Sequence, residues 1–201
     1  MSKKLLLTTL TAAALALAAP AMASATDVPD LPTNVDQAYL ADVDGNPENG
    51  SFTLSGRLTM VNSVTISCDH HLTIDFFDDG TSAVDSFTLT NCVIFGFPGC
   101  TATWTATNLD WGDRFGYDTT AGAFKDYIDI STDVTIGSGC PVTGTFPWHG
   151  ILSPTVSVTA GTITYTFSGS SSGSIISPIG QETWTGTLTG SVGADTQLIH
   201  D

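Results

Sequence analysis

The sequence predicts an all-β fold, a single antiparallel β-sandwich or small Greek-key barrel with two disulfides. Three observations carry this expectation. Short segments of alternating apolar and polar residues recur along most of the chain, and no segment after residue 25 keeps a helical period for three turns. Four cysteines, Cys68, Cys92, Cys100 and Cys140, fall inside the alternating part.

The clearest strand covers residues 100–107, where Cys100, Ala102, Trp104 and Ala106 share one face and threonines fill the other. A second covers residues 183–192, with Trp184, Leu188 and Val192 opposite another threonine row. β-Branched residues at period two mark a half-buried strand, and the threonine rows read as its solvent side. Further strands are expected at residues 52–60, 64–68, 72–77, 84–90, 127–130, 134–136, 142–146 and 162–167. The tract 168–174 contains only Ser and Gly and reads as a flexible loop between two hairpin strands. Residues 26–50 carry Pro29, Pro32 and Pro47 among acids and read as an extended acidic lead-in, so the domain is expected over residues 51–201.

The chain opens with Lys3 and Lys4, an apolar run over residues 5–19, and small residues ending in Ala23 and Ala25. That order is the pattern of an export signal peptide over residues 1–25, cut after Ala25, with Ala23 the second choice. The run is shorter than the ~20 residues of a spanning helix. The expected location is therefore secreted or cell-surface, in a compartment where disulfides persist.

The chain has 20 acidic and 5 basic residues, a formal net charge of −15, and loss of Lys3 and Lys4 makes it −17. Such a surface repels phosphate backbones and anionic lipids, which argues against a nucleic-acid partner.

The turn expected at Asp78-Asp79-Gly80-Thr81 helps to choose a cysteine pairing. Cys68 and Cys92 lie equally far from Gly80, so a hairpin sets them almost opposite each other. The register that best packs Leu72 against Leu89 and Ile74 against Phe87 offsets the cysteines by one, and a bulge near residues 69–71 would reconcile the two. The preferred pairing is Cys68 with Cys92 and Cys100 with Cys140. The alternative joins Cys92 to Cys100 and Cys68 to Cys140.

No phosphate-binding loop, zinc-protease helix or dinucleotide fingerprint occurs. One Gly-x-Ser-x-Gly match, centred on Ser171, lies in the serine tract without a following helix, so it reads as chance composition. Glu48 and Glu182 are the only glutamates and stand in unrelated contexts, which argues against a glutamate pair of glycosidase type and leaves aspartate pairs open. No catalytic residue is assigned, and the protein is expected not to be an enzyme. His70, His71 and His149 are read as surface or capping residues. Calcium is a candidate cofactor: Asp42, Asp44, Asn46 and Glu48 offer oxygen ligands at alternate positions, although Pro47 replaces the glycine of an EF-hand loop. Between Cys92 and Cys100 stand Val93, Ile94, Phe95 and Phe97, an apolar connection in which Phe95 and Phe97 are the candidate interaction residues, while Ile94 and Phe95 could instead turn inward.

Residues 100–111, Cys-Thr-Ala-Thr-Trp-Thr-Ala-Thr-Asn-Leu-Asp-Trp, resemble a pattern in small secreted bacterial proteins such as the alkane-oxidation activator proteins of the PraB type. The resemblance covers roughly residues 51–150. It implies an exported surface or matrix protein with no catalytic residues to carry over. Asp110 stands where that pattern has proline.

These readings converge on a secreted or cell-surface non-catalytic protein acting in adhesion, matrix association or interaction with an apolar interface. A calcium-dependent carbohydrate-binding module is the alternative, followed by an extracellular hydrolase.

Overall fold

The computed structural model describes residues 28–62, 64–106, 111–137, 139–140, 143–177 and 180–201. The expected signal peptide lies outside them. Among the described residues there are twelve strands and no helix. The strands are β1 (Val35–Ala41), β2 (Gly50–Val61), β3 (Thr65–Phe76), β4 (Thr81–Ile94), β5 (Ala102–Ala106), β6 (Trp111–Asp118), β7 (Ala123–Ile136), β8 (Gly144–Leu152), β9 (Thr155–Thr159), β10 (Thr162–Ser177), β11 (Gly180–Ser191) and β12 (Gln197–His200).

All pairings are antiparallel, and they close on themselves. The path β6-β4-β3-β2-β11-β10-β8-β7 returns to β6 through pairs such as Arg114 with Tyr127 and Gly116 with Lys125. Closure removes the free edges that an open sheet exposes. Strands β8 and β9 share one place in the wall: β8 lies between β7 and β10 at one end, and β9 takes over beyond Leu152. Strand β5 pairs with β7, and β1 with β12 docks on β6.

Alternation decides what fills the interior. On β2, Phe52, Leu54, Leu58 and Met60 are buried, while Ser51, Thr53 and Arg57 face outward. The core they join includes Ile74, Phe115, Ile130, Trp148, Tyr165 and Leu188. Gly56 stands in the inward row of β2, where a Cβ would collide with the Thr187 carbonyl oxygen, so only glycine lets β2 and β11 approach there. Gly80, at φ +79°, supplies the left-handed residue of the β3–β4 turn, and its N–H donates to the Phe77 carbonyl at 3.0 Å.

Both bridges of the preferred pairing form, Cys68–Cys92 and Cys100–Cys140. The bulge that accommodates the first lies on β4 rather than at residues 69–71. Ser67 faces Val93 and Asp69 faces Thr90, so Asn91 and Cys92 together oppose Cys68. The apolar partners shift with it, since Leu72 faces Phe87 rather than Leu89.

Other local expectations also change. The lead-in contains β1, whose Ala38, Leu40 and Ala41 are buried. The segments 64–68 and 72–77 are one strand, as are 127–130 and 134–136. The Ser-Gly tract belongs to β10. Between Gly169, paired with Trp184, and Ser174, paired with Thr183, the strand bulges away from β11. Inside the bulge the Ser168 N–H donates to Ser172 Oγ at 2.7 Å, and Ser172 O accepts from the Ser153 N–H at 2.8 Å. The serines replace ladder partners where β10 changes neighbour from β9 to β8.

Candidate functional site

A folded barrel in water buries its large apolar residues, so those left outside identify a candidate contact surface. Among the described residues the exposed large hydrophobics are Val43, Val61, Val93, Phe95, Phe97, Ile151 and Ile176. All except Val43 gather at one end of the barrel.

The strand registers show why. The Phe95 N–H donates to the Thr65 carbonyl at 2.9 Å. Thr65 faces Val61, Val61 faces Thr183, Thr183 faces Ser174, and Ser174 faces Ile151. Residues aligned across a sheet share a face. Phe95, Val61 and Ile151 therefore lie on one transverse line, with Ile176 two residues from it along β10. Five interstrand steps make that line about 24 Å long around the wall. The intervening Thr65, Thr183 and Ser174 are uncharged, in a chain of net charge −15.

Phe95 is 58% exposed, Phe97 36% and Val93 50%, whereas Ile94 is buried. Ile94 thus anchors the loop in the core while both phenylalanines face outward. Two disulfides and a polar network centred on Arg57 and Asp69 hold the loop base. Cys92 is tied to β3 and Cys100 to Cys140. Arg57 donates to Ser67 Oγ at 3.0 Å and to the Asn91 carbonyl at 3.2 Å, and pairs with Asp69 at 2.6 Å. Asn91, at φ +50°, in turn donates to Asp69 Oδ2 at 2.8 Å. Arg57 is one of only five Lys and Arg residues in the chain, and it fastens the bulge beside the loop.

Of the candidate calcium ligands, Asp42 and Asn46 meet through their side chains, the Asn46 amide donating to Asp42 Oδ2 at 3.0 Å. Among the described residues no group of three or more acidic, histidine or cysteine side chains could hold a metal ion. Asp42 is instead the hub of a turn, where Oδ1 accepts from the N–H groups of Asp44 and Asn46 at 2.9 and 2.8 Å. The Asn46 side chain and these N–H groups hold the Asp42 carboxyl below its ordinary range. Asp44 and Asn46 are exposed, and Glu48 is bound through its backbone to Leu40.

His70 departs from its expected surface role. It is fully buried, its Nδ1–H donates to the Cys68 carbonyl at 3.0 Å, and its ring meets Trp184 edge-on at 5.3 Å. Burial lowers its pKa to about 4, so it is neutral in the fold. His71 lies on the opposite face, bonded to Ser55, and His149 is exposed. Ser171 Oγ donates to the Ser168 carbonyl at 3.0 Å within the β10 bulge, consistent with a structural serine. Glu182 is buried, and burial raises its carboxyl to about 7, partly offset by Ser177.

Sequence reading missed two inward carboxyls, Asp113 and Asp126, which have no exposure. The alternation Trp111-x-Asp113-x-Phe115 and Asp126-x-Ile128-x-Ile130 carried that signal, because each Asp shares a face with large apolar residues. Among the described residues no helix is long and apolar enough to cross a membrane. No family model matches the chain, and neither the comparison with characterised proteins nor that with solved structures finds a match.

Proposed function

We propose that the protein is exported and works, without catalysis, by adhering at a cell surface or matrix to apolar material through Phe95, Phe97 and the neighbouring Val61, Val93, Ile151 and Ile176. The observation that supports this most is the outward placement of both phenylalanines on a loop fixed by two disulfides. A pre-ordered loop loses little conformational entropy on contact, so more of the apolar burial appears as affinity. The high negative charge keeps the chain dispersed and disfavours contact between copies, while the uncharged positions between the apolar residues favour a neutral partner surface.

Adsorption to alkyl-coated beads tests the reading. Phe95→Ser with Phe97→Ser is expected to reduce retained protein at least about tenfold, the equivalent of about 1.4 kcal/mol, with little change in melting temperature. Unchanged retention would exclude the loop as the contact. A large fall in melting temperature would assign the rings to the core.

A further inference from the structure

Asp113 on β6 and Asp126 on β7 stand inside the barrel on adjacent strands. Asp113 faces Ile128 and Asp126 faces Phe115, which makes the two aspartates diagonal neighbours on the inner face, with Cβ atoms less than about 7–8 Å apart. Tyr165 on β10 donates its hydroxyl to Asp126 Oδ2 at 2.6 Å. Asp113 Oδ1 and Oδ2 and Asp126 Oδ1 are buried without a hydrogen-bond partner.

Among the described residues the titratable groups that face this pair are Tyr165 and the aspartates themselves. Beside Asp113, β4 presents Ser82, and beside Tyr165, β9 and β11 present Val156 and Leu188. The Phe52 ring of β2 lies 6.2 Å from that of Tyr165. Arg114 and Lys125 adjoin the aspartates in sequence and so leave their strands on the opposite face, where Lys125 pairs with Asp118 at 2.9 Å. Among the described residues no cation offsets two negative charges here, and with three of the four carboxyl oxygens lacking a hydrogen-bond partner the two buried carboxylates are costly to keep ionised together.

We propose that Asp113 and Asp126 share a proton inside the barrel, and that its loss to solvent at higher pH loosens the joint between β6, β7 and β10. Burial pushes Asp126 up to about 7, against the Tyr165 hydrogen bond, and burial with the Asp126 charge pushes Asp113 well above the ordinary range. For an acid raised in the folded state, stability is fully present below the unfolded value near 4 and is lost as pH rises through the folded value. The loss from this pair therefore falls between about pH 4 and pH 7 or above. Glu182 runs in the same direction, whereas His70 runs in the opposite one, losing stability as pH falls from its ordinary 6.5 towards about 4. The difference between wild type and a single neutral variant isolates the pair.

The test compares melting temperatures of wild type and Asp113→Asn across pH, with and without calcium. Asn replaces the shared proton with a neutral amide. The variant is expected to gain on wild type as pH rises, by roughly 5 °C between about pH 4 and pH 8. A pH-independent difference overturns the proposal. So does a calcium-induced rise in wild type that is absent from the variant, because the pair would then hold a cation. If the variant does not fold, infrared spectra of wild type labelled at aspartate decide the matter. A protonated carboxyl stretch at neutral pH that disappears at alkaline pH supports a shared proton, and carboxylate bands alone at neutral pH overturn it.

Discussion

Reducing both disulfides is expected to remove about 4–8 kcal/mol of stability, at about 2–4 kcal/mol for each bridge. Domains of this size are commonly stable by about 5–15 kcal/mol, so the reduced protein should sit near its unfolding transition at ordinary temperature. The bridges close sequence separations of 24 and 40 residues, and they act at the same end of the barrel. Cys68–Cys92 fastens the bulged β4 to β3, while Cys100–Cys140 ties the approach to β5 to the chain between β7 and β8. Denaturant midpoints with and without reductant measure the total. Paired Cys→Ala variants at each bridge divide it. Removal of Cys100–Cys140 should also weaken adsorption to an alkyl surface before the barrel unfolds, because the loop carrying Phe95 and Phe97 then has to be ordered on contact. An unchanged midpoint on full reduction would show that the core alone holds the fold.

The second large effect is expected at Trp148. Its side chain is 1% exposed, and its ring meets that of Trp104 edge-on at 5.8 Å. Truncation to alanine removes the largest side chain of the β7–β8 region and leaves a cavity that paired backbones cannot close, which costs about 3–5 kcal/mol. Trp148→Phe should cost less because it keeps an aromatic partner for Trp104. Urea unfolding of the two variants tests this. The Trp148 and Cys100–Cys140 effects should not be additive, since both act through β5, β7 and β8. A loss below about 1 kcal/mol for Trp148→Ala would contradict the packing described here.

Period two made the strands around Phe52, Trp104 and Trp184 legible, and the turn at Gly80 pointed to the correct disulfide partners. The reading failed where a polar residue turned inward. Asp69, His70 and His71 looked like a break in β3, but His70 fills the space beside Trp184. Ser131, Thr132 and Asp133 looked like a break in β7, although Thr132 is buried and donates to the Thr105 carbonyl at 2.8 Å. Strand β6, Trp-Gly-Asp-Arg-Phe-Gly-Tyr-Asp, lacks the β-branched residues that mark strands, and β1 lay hidden in an acidic, proline-containing stretch. The candidate contact was legible only as the Phe95 and Phe97 loop. Its continuation through Val61, Ile151 and Ile176 depends on register across six strands, which local pattern does not contain.

A charge scan tests whether the contact continues through Val61, Ile151 and Ile176. Single substitutions Val61→Asp, Ile151→Asp and Ile176→Asp place a carboxylate on the proposed contact, while Val43→Asp places one at the opposite end, where Val43 is more open to solvent than any of the three. All four positions face outward, so melting temperatures should change little. Retention on alkyl-coated beads should fall for the first three and remain at the wild-type level for Val43→Asp. Equal retention by all four variants, or equal loss including Val43→Asp, would contradict a localised apolar contact and leave general charge as the determinant of adsorption.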